Sequence, residues 1–160
     1  MRLTADDGDL IDFAEVTVTI NASGAATTFE VRVSASSDDA EEKINSGIVN
    51  RGSSDLELLD ESTNQLVGIR FNGLSIPQGA IITNAYLQFQ TDEVFSATTN
   101  VMIEGHATNN APTFTSANAN ISSRTRTNAA VDWTPAAWTS AGEAGPDLSA
   151  IIQEIINRPG

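Results

Sequence analysis

The 160-residue chain contains no cysteine, few aromatic residues and few basic residues. Without cysteine, the chain forms no disulfide bonds and has no thiol chemistry. Lysine and arginine together number 8, against 21 aspartate and glutamate residues, and the formal net charge is −13. This charge repels polyanions such as duplex DNA, so we predict that nucleic acid is not a partner. No apolar run is long enough to cross a bilayer, so we also predict no membrane insertion.

Short alternating runs dominate what is present, in a chain of globular composition (40% hydrophobic, 18% charged). Apolar and polar residues alternate in Glu15–Ile20, Phe29–Val33, Leu66–Phe71, Ala85–Gln90 and Asn100–Glu104. Each run is bounded by turn-forming residues, which is typical of strands joined by tight connections. The pattern predicts an all-β fold, specifically a jelly-roll-type antiparallel β-sandwich.

One segment near the end of the sequence has helical periodicity instead. In Pro146–Pro159, the apolar residues Leu148, Ile151, Ile152 and Ile155 recur at helical spacing. Asp147 precedes them as an N-cap residue, and the final Arg-Pro-Gly is a stop signal. We predict one C-terminal amphipathic helix whose apolar face packs on the sandwich.

The first 28 residues differ in character from the rest. Residues 1–20 are predicted to form two strands joined by an acidic loop, as a hairpin remnant of a preceding module or as an assembly arm. Residues 21–28, of sequence NASGAATT, have the composition of a linker. Residues 29–160 are then the β-sandwich module.

Two family resemblances follow from particular words of the sequence. Residues 1–20, with DDG before EVTVTI, resemble the closing hairpin of PKD- or cadherin-like immunoglobulin repeats of bacterial surface proteins. Residues 29–160 resemble the DNRLRE-type, carbohydrate-binding-module-like β-sandwich modules of secreted bacterial proteins. The words that carry this second resemblance are SSDDAEE, SSDLEL, VGIRF, IPQGAIITNAYLQFQTDE, IEGHAT, NISSRTRT, VDWTPAAW and PDLSAIIQEIINRPG.

The second resemblance implies a secreted or cell-surface location and non-catalytic binding of polysaccharide. Modules of this type continue past the NRPG word into further strands, so the resemblance implies a module lacking its last strands. A neighbouring module, or residues 15–33 of a second copy, could fill that gap by strand addition.

Carboxylates crowd the stretch from Asp38 to Glu42, and a second acidic pair lies at Asp92 and Glu93. Oxygen-rich acidic loops suit Ca²⁺, so we predict a structural calcium site that uses these residues. Another acidic pair, Asp60–Glu61, is a further candidate. The alternative is a solvated acidic loop, and the spacing of an EF-hand is absent. The predicted ligands are Asp38, Asp39, Glu41, Glu42, Asp92 and Glu93.

Tryptophan and arginine are the candidates for contact with a sugar. Trp138 lies in a Ser/Thr/Gly-rich segment and could stack on a sugar ring, whereas Trp133 ends an alternating run and is predicted to lie in the core. Arg124 and Arg126 alternate and are predicted to share one strand face, where paired guanidinium groups could bind uronate or sulfate. Arg70 is a supporting candidate, and the alternative for each arginine is an ion pair within the chain.

His106 is the only histidine and follows Glu104 by two residues. Such a pair could transfer protons, but no nucleophile or metalloprotease motif accompanies it, so a structural histidine is favoured. We therefore predict a non-catalytic extracellular glycan-binding module, with acidic polysaccharide as one candidate ligand. The alternative is a structural or adhesive surface module that self-assembles by strand addition.

Overall fold

The computed structural model describes residues 13–22, 25–53, 56, 64–90, 100–136 and 143–159. The strands are β1 (Phe13–Ala22), β2 (Ala25–Arg32), β3 (Asp39–Lys43), β4 (Val49–Asn50), β5 (Gln65–Ile69), β6 (Ile81–Gln90), β7 (Val101–His106), β8 (Arg126–Trp133) and β9 (Glu143–Ala144). They are followed by one helix, α1 (Ser149–Ile156). This part of the chain includes no helix with the length and apolar character needed to cross a bilayer.

The strands form antiparallel sheets of modest size. Their orders are β2-β1-β6-β9, β4-β3-β5 and β7-β8. The predicted mostly-β class with antiparallel pairing and a short helix is confirmed. Within the described ranges the sheets do not close on themselves, and the jelly-roll sandwich stays a prediction.

Strand β1 lies in the middle of the four-stranded sheet. It pairs with β2 on one side and with β6 on the other, and its alternating residues Val16, Val18 and Ile20 are buried. Residues 21–22 belong to β1 and residues 25–28 to β2, and these strands pair antiparallel, so the predicted linker over 21–28 is corrected at these positions to paired strand. Small and β-branched residues there extend the ladder because threonine fits a pleated strand well. Residues 1–12, the other part of the predicted hairpin remnant, lie outside the described residues.

The main hydrophobic core lies on one face of this sheet. Buried side chains of β1 and β6 meet apolar residues of β5, β7, β8 and α1 there. Trp133 packs against this core, and its ring stacks on Phe89 with centroids 6.0 Å apart. The tryptophan that we predicted in the core therefore packs there, although it is only half-buried.

A smaller core lies beside β3. It consists of Ala40, Val49, Phe114 and Ile121, with Leu66 packed against it. Phe114 and Ile121 come from the long connection between β7 and β8, so this core fixes that connection against the three-stranded sheet.

Helix α1 carries the apolar face that its periodicity predicts. Leu148 and Ile151 are buried, and Ile152, Ile155 and Ile156 pack against the main core. The helix is shorter than the predicted segment and begins at Ser149 rather than directly after Asp147. The Asp147 carboxylate nevertheless accepts hydrogen bonds from the backbone N–H and the hydroxyl of Ser149.

Candidate functional site

Strands β7 and β8 bring the only histidine next to an arginine. In the register of this pair, His106 lies opposite Arg126, where β7 ends and β8 begins. The pairing contains an irregularity between Glu104 and His106. The Arg126 side chain is 29% exposed, so its guanidinium group reaches solvent at this end of the two strands.

A second arginine reaches the same end from helix α1. Arg158 follows the last helical turn, and its Nε–H donates to the Asn109 side-chain oxygen at 3.2 Å. The Asn109 amide in turn donates to the Pro159 carbonyl at 2.7 Å. These two hydrogen bonds hold the end of the helix against the loop that follows β7.

Arg124 supplies a third guanidinium group, which braces the connection between β7 and β8. It donates to the backbone carbonyl oxygens of Asn120, Pro112 and Thr113 at 2.8 to 3.0 Å. Its guanidinium carbon lies 4.1 Å from the centroid of the Phe114 ring, a cation–π geometry. Arg124 precedes β8 and lies outside any strand, so the prediction that it shares a strand face with Arg126 is wrong.

The electrostatics of this region agree with three arginines lying near one another. Burial, together with the charges of Arg124, Arg126 and Arg158, lowers the pKa of His106 below its ordinary value. Burial and the nearby Arg126 and Arg70 lower the pKa of Arg124. The Nδ1 atom of His106 is buried and has no hydrogen-bond partner among the described residues. We call Arg124, Arg126 and Arg158, with His106 among them, the arginine cluster.

Two carboxylates offset part of this positive charge. Glu104 lies 3.7 Å from the Nε atom of Arg126. Glu154 accepts backbone hydrogen bonds from Asn128 and Ala129, and these bonds lower its pKa, with a smaller contribution from Arg158. Within the described ranges, neither Arg124 nor Arg158 forms a salt bridge.

The arginine cluster retains unused hydrogen-bond donors. The Nη1 group of Arg126 and both Nη groups of Arg158 have no partner in the part of the chain that the structure describes. Guanidinium groups form forked hydrogen bonds with carboxylate, sulfate and phosphate oxygens. The arrangement therefore can bind an anion between the ends of β7, β8 and α1.

Arg70, which we predicted to contact a ligand, is held within the protein. Its Nη1 group forms an ion pair with Asp38, and its Nε–H donates to the Ala111 carbonyl at 2.6 Å. The ion pair with Asp38 neutralises the charge of Arg70, and this is the alternative that we considered for this arginine. Trp138, Asp92 and Glu93, and the further pair Asp60–Glu61, lie outside the described residues.

A shallow groove lies at the other end of β7 and β8. Its volume is about 270 Å³, and it combines the Trp133 ring and the exposed Met102 side chain with three polar residues. An aromatic ring beside polar side chains is a common setting for small ligands. The groove is lined by Asn100, Val101, Met102, Asp132, Trp133 and Thr134.

The acidic stretch Asp38 to Glu42 is buried, unlike the solvated loop considered as the alternative. Residues 39–43 form strand β3, and the four acidic residues of the stretch are between 1% and 9% exposed. Asp38 pairs with Arg70 and also accepts from the Asn72 amide. Burial, together with Asp38 and Glu41, raises the pKa of Asp39 to about 6. The described residues contain no group of three or more acidic, histidine or cysteine side chains that could hold a metal ion.

Sequence reasoning did not find Arg158 or Asn109. The local pattern around Arg158 indicates only a helix stop signal, and it contains nothing that links Arg158 to Asn109, which lies 49 residues earlier. The signal that could have identified Arg158 is the scarcity of basic residues. In a chain with only 8 lysines and arginines and a net charge of −13, each arginine is a candidate for a specific contact.

No family model, curated protein or solved structure matches the chain. The resemblance to DNRLRE-type modules therefore stays a prediction that rests on the sequence words quoted above.

Proposed function

We propose that the chain is a secreted or cell-surface, non-catalytic module that binds an acidic polysaccharide at the arginine cluster. The observation that carries this proposal is the clustering itself. Three of the eight basic residues lie near the start of β8 and the connection that follows β7, in a chain whose net charge is −13. Arg126 and Arg158 have N–H donors left for a ligand, so these two are the proposed contact residues.

The balance of charges favours a glycan over a denser polyanion. Duplex DNA carries one charge per about 1.7 Å, and the acidic remainder of the chain would repel it. A polyuronate has one carboxylate per sugar, so a single carboxylate can enter the cluster while its neighbours stay in solvent. Arg124 then acts as a brace that holds the cluster in shape, because its donors are used by backbone carbonyls. In this proposal, the described sheets belong to the jelly-roll-type sandwich that the family resemblance implies.

Strand addition receives less support as the alternative function. The segment predicted to be donated to a neighbour, residues 15–33, contains most of β1 and all of β2, and within its own chain β1 pairs with both β2 and β6. An assembly by this route would first have to remove β1 from the centre of its sheet.

The test is retention of the whole chain in affinity gels that contain alginate or a sulfated galactan, with dextran as a neutral control. We expect Arg126→Gln and Arg158→Gln each to weaken binding about tenfold or more, because each removes a charge-assisted hydrogen bond. Binding by the original chain should also weaken as salt rises.

Arg32→Gln is the matched control, since it removes the same charge from the exposed strand β2. Equal loss of retention in this variant and in Arg158→Gln would show that only net charge matters. Unchanged retention in both cluster variants would reject the proposed site.

A further inference from the structure

Asn72 is the only asparagine of the chain that is followed directly by glycine. It lies between β5 and β6, in a segment that is neither helix nor strand. The side-chain carbonyl carbon of an asparagine can be attacked by the backbone nitrogen of the next residue, which closes a five-membered ring. A side chain on that next residue hinders the attack, and glycine has none. The sequence therefore contains one position that favours this reaction.

The structure leaves the attacking nitrogen free. The Gly73 N–H has no hydrogen-bond partner in the described ranges, and Gly73 is exposed. A Cβ at this position would have no atom within 4 Å, so the space around it is open. The φ angle of Gly73 is +77°, a left-handed conformation that favours glycine over residues with a side chain. Solvent can therefore reach the Gly73 nitrogen and remove its proton.

The Asn72 side chain compensates a buried charge. Its amide donates to the Oδ2 atom of Asp38, a carboxylate that is 2% exposed. The Oδ1 atom of Asp38 pairs with Arg70, so each oxygen of this carboxylate has one side-chain donor from the segment after β5. A buried carboxylate is costly unless donors or positive groups compensate it. Loss of the Asn72 amide would therefore remove one of these two donors.

We propose that Asn72 is a site of spontaneous deamidation, and that the product weakens the contact between Asp38 and the segment after β5. The Gly73 nitrogen gives its proton to hydroxide and bonds to the side-chain carbonyl carbon of Asn72. The bond between that carbon and the amide nitrogen breaks, and the nitrogen takes a proton from water and leaves as ammonia. Water then opens the cyclic imide and gives aspartate or isoaspartate. The proposal is independent of glycan binding.

Either product replaces a donor to Asp38 by a second carboxylate. Two negative charges then compete for the single guanidinium group of Arg70. Because the Asp38 side chain is shielded from water, repulsion between the two carboxylates is stronger there than at the surface. We expect the fold to lose stability as the reaction proceeds.

The first test is peptide mass spectrometry of the whole chain after incubation at pH 8, with a parallel sample at pH 5. The peptide that contains Asn72 should gain the mass difference between an oxygen atom and an NH group, and the isoaspartate form should separate from the aspartate form on chromatography. The reaction should be about tenfold or more slower at pH 5, because the attack requires loss of the proton from nitrogen.

Asn128 is the matched control within the same chain. Its amide also donates to a carboxylate, that of Glu154, at 3.2 Å. However, Asn128 is followed by Ala129, whose N–H donates to the same carboxylate. The peptide that contains Asn128 should stay unmodified over the time in which Asn72 is converted. Equal modification of both asparagines, or none at Asn72, would overturn the proposed site.

The second test is thermal unfolding of Asn72→Asp, which introduces the direct product. At pH 8 its midpoint should lie about 4 °C or more below that of the original chain. The difference should shrink at pH 5, because a neighbouring carboxylate raises the pKa of a carboxyl group and one of the two then takes up a proton.

Asn50→Asp is the control for added charge alone. Asn50 is exposed on β4, and its side-chain oxygen accepts from the Gly52 N–H, a bond that aspartate also forms. This variant should keep a midpoint close to that of the original chain. An equal fall in both variants, or no fall in Asn72→Asp, would reject the proposed effect on the Asp38 contact.

Discussion

At the scale of single residues, the fold buries ionisable groups and thereby shifts their pKa values away from those in water. Burial and the charges of Arg124, Arg126 and Arg158 disfavour the protonated form of His106, and its Nδ1 atom has no partner among the described residues. Its protonation would add a fourth positive charge to this region, with Glu104 and Glu154 as the nearby acids. The neutral imidazole is therefore the form that the fold favours.

This environment predicts a pH dependence of stability. The pKa of His106 is lowered in the folded chain from an ordinary value of 6.5. Between these two values the unfolded chain binds the proton and the folded chain does not, so stability falls as the pH drops below about 6.5. We expect the destabilisation between pH 7 and pH 5 to be smaller in His106→Gln.

The measurement is urea unfolding of both proteins across this range in EDTA. The pKa of Asp39 is raised to about 6, so protonation of Asp39 increases the stability of the folded chain as the pH falls below this value. This effect is opposite in sign to that of His106 and is the same in both proteins. The prediction is contradicted if the difference in unfolding free energy between the two proteins is independent of pH.

At the scale of elements, helix α1 fastens β6 to β8 with polar side chains as well as with its apolar face. Gln153 accepts from the Ile82 N–H and donates to the Ala80 carbonyl, both at 2.9 Å. Glu154 accepts from two backbone N–H groups of β8. The helix can approach this closely because Gly105 of β7 has no side chain, and a Cβ there would lie 2.7 Å from an atom of Ile151.

Gln153→Ala tests how much this polar contact contributes. The change leaves the N–H of Ile82 and the carbonyl of Ala80 without their partner, so we expect a loss of about 2 to 3 kcal/mol in unfolding free energy. The midpoint should fall by about 4 to 10 °C for a chain of this size, as measured by circular dichroism.

Gln153→Glu is the control for that variant. It keeps the acceptor for the Ile82 N–H and loses the donor to the Ala80 carbonyl and to the Asn157 side-chain oxygen, so an intermediate loss is expected. If the alanine variant were as stable as the original chain, the side chain would have no role in docking the helix.

Local pattern predicted the strands and the helix far better than it predicted their partners. The alternation in residues 15–20 and 85–90 identified β1 and part of β6, but nothing in either run indicated that the two pair. The pairing depends on the shape of the whole core, to which residues distant in sequence contribute. The small residues at 25–28 resembled a linker because β2 is an edge strand, and an edge strand needs no large apolar side chains.

The acidic stretch shows why the site was only partly predictable. Four carboxylates within five residues indicate a solvated loop by composition, yet these residues form or adjoin a buried strand. Burial there depends on Arg70, Asn72 and the N–H groups near Ile121, which lie 32 to 80 residues away. A local window contains none of these partners.

At the scale of the whole molecule, charge is unevenly distributed. The net charge is −13, whereas the end of β7 and β8 carries three arginines. Repulsion among the remaining carboxylates opposes compaction, and dissolved salt reduces that repulsion.

We therefore expect NaCl to stabilise the fold while it weakens the proposed glycan binding. The unfolding midpoint should rise by a few degrees between about 10 mM and 300 mM NaCl and then level off, as screening becomes complete. A rise that continues unabated to molar concentration would point to salt exclusion from the surface instead. A midpoint that is constant or falls with salt would contradict the role of repulsion.

The central position of β1 has a consequence for the order in which the protein can be completed during synthesis. Thr19 accepts a hydrogen bond from Thr83, which is 64 residues later in the chain. At a translation rate of about 5 to 20 residues per second, β1 waits several seconds on the ribosome for its second neighbour. During that interval the nascent hairpin has an open edge and an uncovered valine-rich face, which is the stage at which a chaperone would protect it.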